Sequence, residues 1–152
     1  MVQAAISRTD ARMKLLNRQV ANCMVLFMKL HRYHWYVTGP QFFTLHAKFE
    51  ELYDEVKGHL DDLAERLLTI GGQPVGDLKG CLETASVREA TGSESPEEMV
   101  SAIIGDFQTM IAELGQGMEA AEKQGDEATS DLLLGIKSSL EKHIWMLKSF
   151  LG

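Results

Sequence analysis

The segment from Phe42 to about Ile70 has no proline, and its only glycine is Gly58. One long helix is therefore predicted, because proline breaks helices and glycine weakens them. Apolar residues recur along the segment three or four positions apart, which places them on one face of that helix. This apolar stripe consists of Leu45, Phe49, Leu52, Val56, Leu60, Leu63 and Leu67. A helix with such a stripe is expected to pack against other helices.

Three further segments repeat this pattern, so an all-α fold is predicted. The earliest runs from about Arg8 to Val37 and is ended by Thr38-Gly39-Pro40, since proline cannot continue a helix. Another runs from Pro96 to about Lys123, and the last follows Asp126 to the C-terminus. Because only a few residues connect the first two helices, we expect these helices to be antiparallel neighbours.

The connection between the second and third long helices is the only long one. It extends from Gln73 to Ser95, is rich in Gly, Ser and Thr, and contains a short helical piece at Asp77–Thr84. Four long helices with one long connection are typical of a ferritin-like four-helix bundle. We therefore predict a single ferritin-like domain over residues 1–152, with a short extra helix between helices two and three.

Composition excludes several classes of protein. The chain has 152 residues, of which 45% are hydrophobic, enough for one domain with a core. Its net charge of −7 argues against binding of the nucleic-acid backbone through a basic face. There is no apolar run of roughly eighteen residues, so no membrane span is predicted. The N-terminus lacks the apolar core of a signal peptide, and Cys23 and Cys81 are too few for a disulfide framework, so a cytoplasmic location is expected.

The second helix also carries residues that indicate chemistry. With His46 at zero and about 100° per residue, Glu50 lies near about 40°, Asp61 near about 60° and Glu65 near about 100°. These side chains share one quadrant beside the apolar stripe. We expect the short turn to bring His34, at the end of the first helix, close to His46. Two imidazoles and three carboxylates suit iron, manganese or zinc better than calcium or copper(I).

One chain cannot complete such a site on a straight helix. His46 and Asp61 are separated by about 22 Å along the helix axis. Two copies of the helix, packed antiparallel about a two-fold axis near Glu55 or Val56, would bring the His46 end of one copy to the Asp61 end of the other. Because a two-fold interface makes every contact twice, this arrangement predicts two identical metal sites shared between subunits.

Plainer interpretations remain open on the residues alone. His46 and Glu50 have the spacing of an ordinary solvent-exposed pair, so a structural bundle whose acidic face binds no metal is the rival. Asp61 and Glu65 favour a metal, because like charges repel at this spacing and a cation between them removes the repulsion. The di-iron site inside other ferritin-like bundles needs Glu-x-x-His motifs. None of the five histidines has a glutamate three residues before it.

Motifs along nearly the whole chain are similar to those of a known family. They are H-x-x-H-W-Y at His31–Tyr36, G-P-x-F-F-T-L-H at Gly39–His46, F-E-E-L-Y at Phe49–Tyr53, D-x-x-A-E-R-L-L-x-I-G-G-x-P at Asp61–Pro74, K-x-G-D at Lys123–Asp126 and K-H-I-W-M at Lys142–Met146. In these motifs the chain resembles the Dps family, the small ferritins also called starved-cell DNA-binding proteins.

The resemblance implies a hollow dodecamer of four-helix bundles, with ferroxidase sites for two irons at its two-fold interfaces. Carried over residue by residue, His34 and His46 would come from one subunit, and Asp61 and Glu65 from its partner. Glu50 matches a carboxylate that often completes the site. This assignment agrees with the antiparallel arrangement inferred from helix geometry.

The resemblance also implies the chemistry. Dps proteins oxidise Fe(II), typically with hydrogen peroxide in preference to dioxygen, deposit ferric mineral in their cavity and so protect against oxidative damage. Trp35, beside His34, is expected to take up stray radicals. Asp126 and Asp131 match positions that line the three-fold pores of similar proteins, where negative potential attracts Fe(II).

DNA binding does not follow automatically from the resemblance. Family members that bind DNA tightly usually do so through a lysine-rich tail. The basic residues among the first fourteen positions here are only Arg8, Arg12 and Lys14. With a net charge of −7, strong DNA binding is not expected. A nucleoid protein that protects DNA independently of iron is the alternative function.

Overall fold

The computed structural model describes residues 10–152. Its helices are α1 (Ala11–Tyr36), α2 (Phe42–Thr69), α3 (Leu78–Thr84), α4 (Pro96–Lys123) and α5 (Glu127–Leu151). Four helices are long and α3 is short, and no strand occurs in this part of the chain, so the predicted all-α bundle is confirmed. Within residues 10–152, no helix is long and apolar enough to cross a membrane.

Side-chain caps mark the starts of α1, α4 and α5, whereas α2 begins without one. The predicted start near Arg8 lies outside the described residues, and α1 begins at Ala11. The preceding residue, Asp10, is extended, and its carboxylate accepts hydrogen bonds from the first backbone amides of the helix. At the start of α4, Ser95 and Glu98 form the reciprocal capping box that is expected for this sequence pattern.

Two glycines close the end of α2. Gly71 has a φ of 93°, which favours glycine. The amide of Gly72 donates to the carbonyl oxygen of Leu67 at 2.8 Å. A Cβ atom at position 72 would lie 2.3 Å from Cδ1 of Leu67, so a larger residue does not fit there. The last turn of α2 is therefore fixed in place.

The core lies between two helix pairs, because α1 packs along α2 and α4 packs along α5. Tyr33, Phe49 and Phe107 are fully buried at its centre. The predicted apolar stripe of α2 is buried except at Leu60, which is only half-buried. This packing turns the quadrant that carries Glu50, Asp61 and Glu65 away from the core.

Candidate metal centre

His34 and His46 lie side by side, as the short turn between α1 and α2 predicts. His34 is in the last turn of α1 and is buried, and His46 is half-buried in the first turns of α2. Their ring centroids are 3.7 Å apart and the two planes are inclined by 12°. The predicted proximity of the two imidazoles is therefore confirmed.

Each imidazole is held by the main chain of the other residue. Nδ1 of His34 donates to the carbonyl oxygen of His46 at 2.6 Å, and Nδ1 of His46 donates to the carbonyl oxygen of His34 at 2.7 Å. A carbonyl oxygen only accepts, so each Nδ1 carries a hydrogen. In the neutral rings each Nε2 then carries a lone pair to which no group in residues 10–152 donates, which is the usual arrangement of a histidine that ligates a metal.

Two of the other three histidines engage Nε2 within the chain, whereas His31, like the pair, uses Nδ1. His31 has Nδ1 2.7 Å from the carbonyl oxygen of Phe27, one turn earlier in α1. His59 and His143 direct Nε2 towards the carboxylate of Glu55, at 3.1 Å and 3.0 Å. The Nε2 atoms of these two residues are therefore already engaged within the chain.

Glu50 lies one helical turn after His46 and is exposed. The hydroxyl group of Tyr53 donates to Glu50 Oε1 at 3.4 Å. The ring of Tyr53 also meets His34 edge-on, with centroids 5.4 Å apart. Tyr53 thus contacts two of the predicted ligands, a role that the sequence pattern did not assign to it, although its i,i+3 spacing from Glu50 is a usable signal.

Asp61 and Glu65 lie near the other end of α2 and are exposed. Neither carboxylate forms a hydrogen bond or ion pair with a side chain in residues 10–152. Within that range no group of three or more His, Cys, Asp or Glu residues comes together as a metal site. One chain thus presents two separate sets of donors, imidazoles at one end of α2 and carboxylates at the other.

Glu55, near the middle of α2, joins this helix to α5. Its carboxylate accepts hydrogen bonds from His143, His59 and Ser139. The bonds from His143 and His59 hold the pKa of Glu55 well below its usual range, against the opposing effect of burial. A depressed pKa contributes stability above the pKa of the unfolded chain, and that contribution is lost as the pH falls towards the folded value.

Glu55→Gln is expected to lower the free energy of unfolding at pH 7 by about 2 kcal/mol, since charge-assisted hydrogen bonds are lost. The variant should also lose less stability than the wild type below about pH 4.3, the pKa of an unfolded glutamate. Urea unfolding at several pH values measures both effects. Glu51→Gln is the matched control, because the side chain of Glu51 is 60% exposed and, among residues 10–152, its carboxylate pairs with Lys48 alone. Equal effects of the two substitutions would contradict the assignment.

The two predicted pore residues have different surroundings. Asp131 is exposed on α5. The side chain of Asp126 is only 9% exposed and accepts hydrogen bonds from Thr129, Arg12 and Arg66. Burial raises the pKa of Asp126, but these bonds outweigh it and lower the pKa to about 2. A carboxylate neutralised by two guanidinium groups attracts few cations, so these contacts support the pore prediction less well for Asp126 than for Asp131, and both positions stay predictions.

Trp35 is at the end of a row of ring contacts that starts at the histidine pair. Tyr53 meets His34 edge-on at 5.4 Å and stacks on His31 at 3.7 Å. The ring of His31 is in turn 5.4 Å from that of Trp35, whose side chain is 59% exposed. Aromatic contacts therefore run without a gap from the predicted site to the surface.

Comparison with known proteins places this geometry in a family. A model of the ferritin-like domain matches residues 13–152. The DNA protection during starvation protein 2 of Bacillus anthracis is 58% identical over 139 residues, which cover 91% of this chain and 95% of the relative. The chain belongs to the Dps family.

Solved Dps structures agree with this fold. The crystal structure of a Dps protein from Bacillus brevis matches with a TM-score of 0.91 at 52% identity, over 99% of this chain and 97% of that one. Dps from Listeria innocua, in crystals soaked with cobalt, matches with a TM-score of 0.90 at 44% identity, over 95% of this chain and 93% of that one. The predicted ferritin-like bundle is thereby confirmed.

Proposed function

We propose that this Dps protein is a ferroxidase. In this proposal it oxidises Fe(II) with hydrogen peroxide at sites shared between two-fold-related subunits and stores ferric mineral inside a hollow dodecamer. The observation that carries the proposal is the pair of His34 and His46 with both Nε2 lone pairs free. The exposed carboxylates of Asp61 and Glu65, at the other end of α2, supply the donors that this pair lacks.

Two Fe(II) ions would bind between the histidine pair of one subunit and the carboxylates of its partner, with Glu50 completing the donor set. Imidazoles suit Fe(II), and carboxylates stabilise the harder Fe(III) product. Each iron gives up one electron, the two electrons break the O–O bond of one peroxide, and two protons complete two water molecules. Because both electrons reach the same peroxide, the release of hydroxyl radical is suppressed. Exposed Asp131 would attract Fe(II) towards the pore.

Anaerobic titration with Fe(II), followed by addition of peroxide, tests the proposal directly. A site made twice by each two-fold interface is expected to bind about two irons per subunit and to oxidise them rapidly. The mass of the particle, measured in parallel, should correspond to about twelve chains. Failure of the assembled particle to bind Fe(II) at neutral pH would favour the rival, a structural bundle without a metal.

DNA binding is the second candidate, because the Bacillus anthracis relative is named for DNA protection. The net charge of −7 opposes it. A gel shift at physiological salt separates the two functions. Binding that persists after His34→Ala and Asp61→Ala are combined would favour a nucleoid protein that acts independently of iron, whereas absence of binding favours the ferroxidase.

Trp35→Phe is expected to change which group reacts with one-electron oxidants formed at the iron site. During turnover with excess peroxide, most tryptophan oxidation in the wild-type protein should occur at Trp35, because the ring contacts lead there from His34. Mass spectrometry of the peptide around residue 35 should show added oxygen. In the variant this product disappears, and a spin trap should detect more hydroxyl radical.

Trp145 provides the control for that experiment. Its side chain is 65% exposed, similar to that of Trp35, but it lies on α5 and has no part in the row of ring contacts. Trp145→Phe should therefore leave the spin-trap signal at the wild-type value. Equal oxidation of Trp35 and Trp145 would mean that exposure alone decides which tryptophan is oxidised.

A further inference from the structure

A cluster that we call the end clamp joins the residues around the starts of α1 and α5 to the end of α2. Arg66 donates from Nη2 to Asp126 at 2.8 Å and from Nε to the hydroxyl oxygen of Thr129 at 2.9 Å. Arg12 donates from Nη1 to the second oxygen of Asp126 at 2.7 Å and from Nη2 to Asp10 at 3.0 Å. The end clamp consists of Asp10, Arg12, Arg66, Asp126 and Thr129.

The end clamp is well shielded from water, which makes its bonds directional and strong. Thr129 is fully buried, and the side chains of Asp126, Arg12 and Arg66 are 9%, 14% and 24% exposed. Charge-assisted hydrogen bonds in such surroundings are shorter and stronger than neutral ones. Among the members of the clamp, only Arg66 belongs to α2.

The position of Arg66 connects the end clamp to the predicted ligands. Arg66 follows Glu65 directly and is about 7.5 Å along the axis from Asp61. On the core side of α2, Leu63 and Leu67 are fully buried. The last turns of the helix are thus held on two sides, by the core and by the end clamp, while Asp61 and Glu65 are exposed.

Metal ligands tolerate little displacement, since ligand distances must fall within about ±0.2 Å of their preferred values. A rotation of α2 by about 10° would move an atom at the side-chain radius of about 5 Å by nearly 1 Å. The apolar stripe by itself includes no polar contact to resist such a rotation. Glu55 supplies polar contacts with α5 near the middle of α2, and the bonds of Arg66 supply them at its end, next to Glu65.

We propose that Arg66 is a positioning residue for the shared iron site. Through Asp126 and Thr129 it fixes the rotation of the last turns of α2 about the helix axis and their position along that axis. It thereby fixes the direction in which Asp61 and Glu65 face the partner subunit. Arg66 itself does not touch iron. The inference rests on the proposed ferroxidase function.

Arg66→Met tests this role, because methionine keeps an apolar stem and removes the guanidinium group. Arg12→Met is the matched variant, since it removes the other guanidinium group from Asp126 but lies on α1. Arg66→Lys should retain part of the Co(II) affinity, because lysine keeps a donor to Asp126. The readouts are Co(II) affinity from its absorption spectrum, KM and kcat for Fe(II), and the unfolding temperature, all measured on the assembled protein.

We expect Arg66→Met to weaken Co(II) binding and to raise KM for Fe(II) by about 10-fold, the lower range for residues that orient metal ligands. The value of kcat should change much less. For the same decrease in unfolding temperature, Arg66→Met should reduce Co(II) affinity more than Arg12→Met does. If affinity falls in proportion to unfolding temperature in both variants, Arg66 is merely structural and the proposal is overturned.

A second variant covers the case in which Arg66→Met does not assemble. Thr129→Val has nearly the same shape and removes only the bond to Arg66 Nε and the hydroxyl contact with Asp126. It should weaken Co(II) binding in the same direction, and unchanged Co(II) affinity overturns the positioning role. If wild type binds Co(II) but does not oxidise Fe(II), the ferroxidase proposal fails by itself, and the comparison of Co(II) affinities still decides the role of Arg66.

Discussion

Asp61→Ala is expected to slow the peroxide-driven oxidation of Fe(II) at least about 100-fold, since even residues behind metal ligands contribute 10–100-fold. Alanine removes a carboxylate that has no side-chain partner within residues 10–152 and is exposed on α2. The fold should survive, because Asp61 supports no contact in the core. Stopped-flow absorbance after anaerobic loading with Fe(II) measures the rate, and the particle mass verifies assembly.

Asp62→Ala is the matched control for this experiment. Asp62 is equally exposed and equally charged, but it lies at about 160° on the helix and so outside the ligand quadrant. Its loss should leave the rate close to that of the wild type. If both substitutions slow oxidation equally, the rate depends on the general negative charge of α2 and the assignment of Asp61 as a ligand is wrong.

Local patterns in the sequence were sufficient to predict most of the fold. The apolar spacing of α2 predicts its buried face at every stripe position except Leu60, because burial of a helix face depends mainly on periodicity. The contact of His34 with His46 was also predictable, since a short turn leaves antiparallel neighbours little freedom. The reciprocal bonds that orient the two rings were not predicted, because they depend on side-chain rotation and not on spacing.

Contacts between distant parts of the chain could not be predicted in this way. Arg66 and Asp126 are 60 positions apart, and Arg12 and Asp126 are 114 apart, so no periodic pattern relates them. The motif around Asp126 therefore predicts a pore position without indicating that its oxygens are engaged by two arginines and Thr129. Within residues 10–152 of one chain the two sets of donors also do not come together, so their pairing cannot be derived from a single chain.

Mixing two inactive variants is expected to restore activity if the site is shared. His46→Ala damages the imidazole half of a site, and Asp61→Ala damages the carboxylate half. When the two chains are co-expressed in equal amounts, half of the dimers contain one chain of each kind. One of the two sites in such a dimer combines both damaged halves and the other combines both intact halves, so about one quarter of all sites should be active. Rapid oxidation per particle, compared with wild type, measures this fraction.

The pairing of Asp61→Ala with Glu65→Ala is the control, because both substitutions damage the same half of the site. In this mixture every site receives a damaged carboxylate half, so no activity should return even though the chains assemble equally well. Recovery in both mixtures would indicate that co-expression restores folding and not chemistry. Recovery in neither, with normal particle mass, would mean that His46 and Asp61 do not meet across the interface. Only recovery confined to the first mixture is consistent with two half-sites contributed by different chains, because each variant can then supply the half that the other lacks.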